Sequence, residues 1–253
     1  MAKGSSEAKG SQAKGRALRW QVVSATFERS APRLADCPEG DLPEIAVAGR
    51  SNVGKSSLLN TFTRHTGLAR VSRTPGRTQL LNFFHLRLRG PSGSVPDQAL
   101  RWVDLPGYGF ARARRDVREA FGPMIESYLR EREALRGLLV LIDARHGPKD
   151  SDFELLEFCA ATELPCLVCA TKCDKLGASE RGLLPGRFAE ALQIDPRDVL
   201  LTSASSGLGL TQPDRRGGLG DELARLARES AKDSAPITRV PESTTQGAGE
   251  PEL

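Results

Sequence analysis

The sequence has no long hydrophobic run. Its longest candidate, residues 138–142, is strand-sized, whereas a membrane-spanning helix needs about 20 apolar residues. Residues 1–17 lack the apolar stretch of a secretory leader. The chain ends Glu250, Pro251, Glu252, Leu253, with no cysteine of a prenylation signal. The expectation is a soluble, cytoplasmic monomer that does not engage membranes. Histidine is scarce too. His65, His85 and His146 are the only three and form no visible cluster. His85 comes nearest to a catalytic reading, but it lies in a strand-like run where a partly buried core histidine is the plainer one.

Five cysteines give no disulfide framework or metal site. Cys166 and Cys169 have zinc-like or redox-like spacing, but no second Cys or His pair accompanies them. They fall in an apolar run, residues 164–170, that fits a buried strand. Alternation along a strand puts them on opposite faces. Free buried cysteine behaves there as a small hydrophobe.

Bulky apolar residues are also missing from both ends. Residues 1–17 repeat Ala-Lys-Gly, and residues 231–253 are rich in Ser, Thr, Pro, Gly and Glu. Neither end can bury enough to offset its ordering entropy, so both are expected to be disordered. Residues 18–230 are left as one α/β domain. The N-terminal tail is basic. It suits a loose arm for nucleic acid, or more plainly a solvated tail. The net charge of +4 suggests an anionic partner only mildly.

What the chain does contain is concentrated at residues 44–60. A short apolar run, Ile45 to Ala48, precedes Gly49, Arg50, Ser51, Asn52, Val53, Gly54, Lys55 and Ser56, and a helix-like run follows. The eight residues fit G-x-x-x-x-G-K-[ST]. Two glycines let the loop wrap so that backbone N–H groups converge on phosphate oxygens. The helix start adds its positive dipole end. Lys55 can reach the β- and γ-phosphates, and the Ser56 hydroxyl can ligate Mg²⁺.

Further strands and helices alternate along the chain. Strands are expected at 22–27, 80–88, 100–104, 137–143, 165–171 and 199–202, besides the one before the loop. Helices are expected at 56–63, 117–133, 150–162, 184–192 and 220–230. The short link between 88 and 100 makes those two strands an antiparallel pair. The rest, several of them wholly apolar, predict a mostly parallel sheet with helices on both faces. Ligand should bind at the carboxyl ends of the strands.

Three further motifs sit at such ends. Asp104, Leu105, Pro106 and Gly107 form D-x-x-G: the carboxylate can hold Mg²⁺ through a water, and the Gly107 N–H can reach a γ-phosphate. Thr171, Lys172, Cys173 and Asp174 follow a buried strand. The Asp174 carboxylate can accept from both guanine donors, N1–H and the 2-amino group, a pair that adenine lacks. Lys172 can lay its stem across the base. Thr202, Ser203 and Ala204 come last, with backbone N–H groups that can meet the guanine O6. In the exposed loop at 64–78, Thr78 is a switch-threonine candidate, with Thr66 and Thr74 as rivals.

Together GRSNVGKSS, TPGRTQ, DLPGYG, TKCDK and a final SA resemble the EngB (YsxC/YihA) family of translation-factor-related P-loop GTPases. The resemblance covers about residues 22–230. It implies a Ras-like domain with a six- to seven-stranded sheet and one antiparallel pair. It implies GTP and GDP as ligands, GTP hydrolysis, and Mg²⁺ held by Ser56 and Thr78. It extends the nucleotide site to Gly76, Arg77, Gln79 and Leu80. It implies action on a precursor of the large ribosomal subunit, with an effect on cell division and septation. Potassium-dependent relatives of the GxxNxGKS form use the asparagine to help hold K⁺, so Asn52 joins Lys55 and Thr78 as a catalytic candidate. The plainer reading of Asn52 is a local hydrogen bond.

Tyr108 stands where Ras-type GTPases carry a water-orienting glutamine. A phenol does not polarise water in that way, so slow intrinsic hydrolysis is expected. Residues 64–78 and 105–118 are the expected switches, and both are strongly basic. A small-molecule P-loop kinase is the main rival class, and TKCD argues against it. Residues 207–219 look like an insertion relative to the family, and both tails extend beyond it.

Overall fold

The computed structural model describes residues 20–69, 80–91, 95–108, 122–211 and 218–229. Among them, seven strands form one sheet: β1 (Gln21–Ala31), β2 (Glu44–Gly49), β3 (Leu81–Arg89), β4 (Gln98–Asp104), β5 (Leu135–Asp143), β6 (Cys166–Thr171) and β7 (Val199–Leu201). Their order across the sheet is β1-β3-β4-β2-β5-β6-β7. The expected antiparallel pair is β3 with β4. β1 adds a second antiparallel ladder on the other side of β3, at the sheet's edge. All other pairings are parallel.

The helices are α1 (Lys55–Thr63), α2 (Pro123–Glu131), α3 (Asp150–Ala161), α4 (Ala178–Leu192) and α5 (Leu219–Arg228). Strand alternation assigns them to the two faces. On β2, Ile45 and Val47 point into the cluster that holds Leu58, Leu59 and Phe62 of α1 and Leu223 and Leu226 of α5. Ala46 and Ala48 point into the other, with Ile125 and Tyr128 of α2, Leu155 of α3 and Phe188 of α4. Both faces are therefore covered, which explains why β2, β5 and β6 are apolar almost throughout. Cys166 and Cys169 lie in opposite clusters, as their spacing predicts.

Two helix starts differ from the sequence reading by six residues each. The helix expected from residue 117 begins at Pro123, preceded by Gly122 at φ 86°. Proline fits the first turn because it has no N–H to leave unpaired, and it resists a helix that starts earlier. Residues 117–121 lie outside the described residues. α4 starts earlier than expected, at Ala178, with the Glu180 carboxylate accepting from Gly177 N at 3.1 Å.

β2 is central, paired with β4 on one side and β5 on the other, and the chain crosses it in passing from β4 to β5. The strand order reverses there, so the loop after β2 opens into the crevice that such sheets use for ligands.

The base of β2, at the far end from that crevice, is pinned by charge. Glu44 is fully buried, and Arg132 holds it bidentately at 2.6 and 3.0 Å. The Tyr128 hydroxyl donates to it at 3.0 Å, and Arg101 lies 3.5 Å away. Arg101 also pairs with Glu28 of β1, so one network ties β1, β2, β4 and the end of α2.

Candidate functional site

β2 ends at Gly49, where a Cβ would lie 2.8 Å from Val53 Cγ1 and 3.0 Å from the Leu141 carbonyl oxygen. Asn52 and Gly54 follow with left-handed backbones, φ 63° and 111°. Two such turns in three residues fold the loop back onto the start of α1. Val53 is buried beneath the loop, and its carbonyl accepts from Thr171 Oγ1 at 2.9 Å. Lys55 opens α1, and its Nζ reaches back to within 3.4 Å of Gly49 O. Burial lowers the Lys55 pKa, and Asp104 beside it works the other way. Ser56 sits in the first turn of α1.

Asp104 ends β4 in register with Val47 of β2. Its Oδ1 is shut off from solvent with no hydrogen-bond partner. Burial pushes its pKa up to about 6 although Lys55 opposes the shift. Leu105 donates to Val47 O at 3.0 Å, so the D-x-x-G turn leaves the sheet directly beside the phosphate loop. Tyr108 O then accepts from Ser51 N at 3.2 Å.

The third part of the site comes off β6. Lys172 takes a left-handed backbone, φ 58°, unusual for a residue with a side chain. Its ammonium is anchored at two points, 2.6 Å from Asn52 O and 3.0 Å from Asp143 Oδ2. Its stem runs beside Gly54, whose Cβ would stand 3.9 Å from Lys172 Cε. Burial alone would raise the Asp143 pKa. Hydrogen bonds from Arg145 and Lys172 outweigh that and hold it well below the usual carboxylate range. Asp174 Oδ1 accepts from Ser203 Oγ at 2.6 Å, which lowers its pKa and keeps it ionised. Cys173 is buried, with its N–H on Thr202 O at 3.1 Å.

The loop after β2, the Asp104 carboxylate and the 171–174 turn are thus gathered at the carboxyl ends of β2, β4 and β6. Comparison with known proteins identifies the family. A family model described as "50S ribosome-binding GTPase" matches residues 44–172. "Probable GTP-binding protein EngB" of Anaeromyxobacter sp. (strain Fw109-5) is 43% identical over 217 residues, 85% of this chain and 95% of that protein. The chain belongs to the EngB family of GTP-binding proteins. The EngB protein of Anaeromyxobacter sp. (strain K) is 46% identical over 209 residues, 83% of this chain and 94% of its own. A crystal structure of Aquifex aeolicus Era bound to GDP·AlF4⁻ matches with TM-score 0.50 at 23% identity, over 79% of this chain and 60% of that one. That likeness is one of fold. The chain is a GTP-binding protein with a GTPase domain.

The structure of this EngB-family chain brings together Gly49–Ser56 by number 49 to 56, Asp104 to Gly107, Thr171 to Asp174 and Thr202 to Ala204. Gly76, Arg77, Thr78 and Gln79 lie outside the described residues; Leu80 is described just ahead of β3. Of the three expected O6 donors, Thr202 N–H bonds Ala170 O and Ser203 N–H bonds Leu208 O, at 2.8 and 3.0 Å. Ala204 is therefore the better donor of the three. Its carbonyl accepts from Thr61 Oγ1 of α1 at 3.0 Å, which ties the turn to the helix after the phosphate loop. The expected insertion is partly built into this site. Leu208 O caps Ser203, and Gly209, at φ 67°, passes so close to Leu201 O that a Cβ would collide.

Asp143 escaped the sequence reading as a site residue, and Tyr108 was read only as the replacement for a water-orienting glutamine. Asp143 braces Lys172, and Tyr108 is buried in the core with its hydroxyl on Asp152 at 2.7 Å. Asp143 ends a strand, the position that made Asp104 a candidate, and that signal could have found it. His85 is half-buried on β3, away from these loops.

Proposed function

We propose that this chain is a GTP-controlled switch in assembly of the large ribosomal subunit, needed for normal cell division. The carrying observation is Asp174, held by Ser203 at the end of β6 beside the loop that follows β2, in a chain of the EngB family; it supports selection of guanine. The description of the matching family model, a 50S ribosome-binding GTPase, supports the partner. The basic segments 64–78 and 105–118 follow the phosphate-loop helix and the D-x-x-G motif in sequence, which supports contact with ribosomal RNA gated by nucleotide state. The test is sedimentation with ribosomal particles after loading with GTP analogue or GDP. Binding in one nucleotide state, to a large-subunit precursor, is expected. Binding insensitive to both nucleotide and salt overturns the proposal.

Mg²⁺ fits the site because the orphaned Asp104 oxygen is costly to bury and a cation relieves that cost. Ser56 and Thr78 would hold it, with Asp104 acting through a water. When bound, it neutralises charge on the β- and γ-phosphates. Lys55 adds a fixed positive charge there, and Gly107 offers its N–H to the γ-phosphate.

A pH effect follows from Asp104. A carboxyl group with a raised folded pKa costs stability once ionised. The cost is absent below the ordinary value of 3.8, grows toward 6 and is complete above it. The bare protein therefore gains on the order of 1–2 kcal/mol from this group as pH falls from about 7 to about 4, discounted for partial exposure. A cation competes with the same proton. The Mg²⁺-dependent part of GTP affinity should decline as pH drops through about 6. Asp104→Asn should flatten both curves, which thermal melts and GTP titrations with and without Mg²⁺ would measure.

Hydrolysis without a partner is slow in this proposal, since no glutamine follows D-x-x-G and the Tyr108 ring is buried. Asn52 is exposed and, among the described residues, its side chain makes no hydrogen bond. That leaves its amide oxygen available to K⁺ beside the phosphates. GTP turnover should be several-fold faster in KCl than in NaCl, and Asn52→Ala should erase the difference. Equal rates in the two salts would remove this role.

A further inference from the structure

We propose that Asp152 is a positioning residue: through the Tyr108 hydroxyl it fixes the D-x-x-G turn against the phosphate loop, and so sets the preference for GTP over GDP. This rests on the nucleotide reading above. The backbone at 107–108 is held from one side by the phosphate loop. Ser51 N donates to Tyr108 O at 3.2 Å, and Arg50 bridges Tyr108 as a parallel strand pair. A Cβ on Gly107 would lie 2.8 Å from Ser51 Oγ and 3.1 Å from Ser51 Cα, so the two chains are in contact.

From the other side the Tyr108 side chain is held by α3. Its ring is buried, and its hydroxyl donates to Asp152 Oδ1 at 2.7 Å. Asp152 Oδ2 accepts from Lys149 N at 2.9 Å, as a cap on the first turn of α3. A carboxylate held at both oxygens is a fixed point. Gly107, next to this doubly anchored tyrosine and packed against Ser51, has little freedom to move along or away from the phosphate loop.

Helix capping alone does not explain Asp152. A cap works on the surface, and this carboxylate is 1% exposed. Burial raises its pKa, a cost that hydrogen bonds from Tyr108 and Lys149 offset. The position makes sense if the tyrosine is what it serves. GTP differs from GDP by the γ-phosphate, the group that Gly107 would meet. A shift of this turn should therefore weaken GTP and leave GDP alone.

The experiment measures affinity for GDP and for a non-hydrolysable GTP analogue in the full chain. Tyr108→Phe keeps the ring and its packing, so the fold survives, and melts confirm it. GTP-analogue affinity should fall about tenfold, the scale of one hydrogen bond to a charged group, with GDP within about twofold. Asp152→Ala should match it, and the double variant should shift the ratio no further. Asp152→Asn should lose less, because its amide can accept from Lys149 and donate to the phenol oxygen. A GTP-to-GDP ratio that stays constant or rises in Tyr108→Phe, with GDP still bound, overturns the latch. Failure of the unaltered protein to bind GDP would instead overturn the nucleotide reading on which it stands.

Discussion

Replacing Asp174 with asparagine should weaken both GTP and GDP by a factor on the order of 10³–10⁴. The reason is the donor pattern of the base. Guanine presents two donors side by side, and an ionised carboxylate presents two acceptors. Asp174 is ionised because the Ser203 hydroxyl, 2.6 Å away, lowers its pKa. Asparagine keeps one acceptor and turns a donor toward the other guanine N–H. One hydrogen bond is lost and one repulsive contact appears. The same change suits xanthine, which has a carbonyl where guanine has its amino group. Asp174→Asn should therefore bind xanthosine nucleotides better than guanosine ones. Ser203→Ala should be milder, about tenfold, and equal for GTP and GDP, because the base loop does not touch the γ-phosphate. Fluorescent-nucleotide titration measures these affinities. An Asp174→Asn variant that holds GTP within tenfold of the original would refute the placement of the base at this loop.

The largest effect on stability is expected at the opposite end of β2. Glu44→Ala should cost about 3–5 kcal/mol, the range for breaking one partner of a buried ion pair. Glu44 is fully buried between Arg132, Arg101 and the Tyr128 hydroxyl. Without it, Arg101, already buried, loses one of its carboxylates, and the Tyr128 hydroxyl loses its acceptor. For a domain of this size the melting temperature should drop by roughly 6–20 °C. Glu44→Ala combined with Arg132→Met should cost less than the two single changes summed, since the second removes a charge that the first strands. Full additivity in thermal melts would mean that the pair is not coupled. Nucleotide affinity at temperatures where the variant is folded should change little, because the network lies at the far end of the strand from the phosphate loop.

Much of the site was legible in the chain. The phosphate loop needs glycine where the backbone turns left-handed or where another chain crowds it, and Gly54 and Gly49 meet those two needs. Asp104 and Asp174 announce themselves as acids at the ends of apolar strands. The sheet was legible because strands buried on both faces are apolar throughout. The start of α2 was not, because the apolar period runs on through residue 121 while Pro123 resets the helix. The role of Tyr108 was read only in part. Its place in the motif suggested a residue facing the reacting water, and instead its ring entered the core.

The sequence by itself determined the local chemistry: which loop has the glycine pattern suited to phosphate, which acids end apolar strands, which strands are buried. Those properties depend on neighbouring residues and on the period of apolar positions. Only the tertiary structure decided how these pieces brace one another. Tyr108 meets Asp152 across 44 residues, Lys172 meets Asn52 across 120, and Glu44 meets Arg132 across 88. Such pairs leave no periodic trace, because each partner looks like an ordinary polar residue until the sheet order places it. That order runs β4-β2-β5-β6, and it is what sets the D-x-x-G turn, the phosphate loop and the base loop side by side.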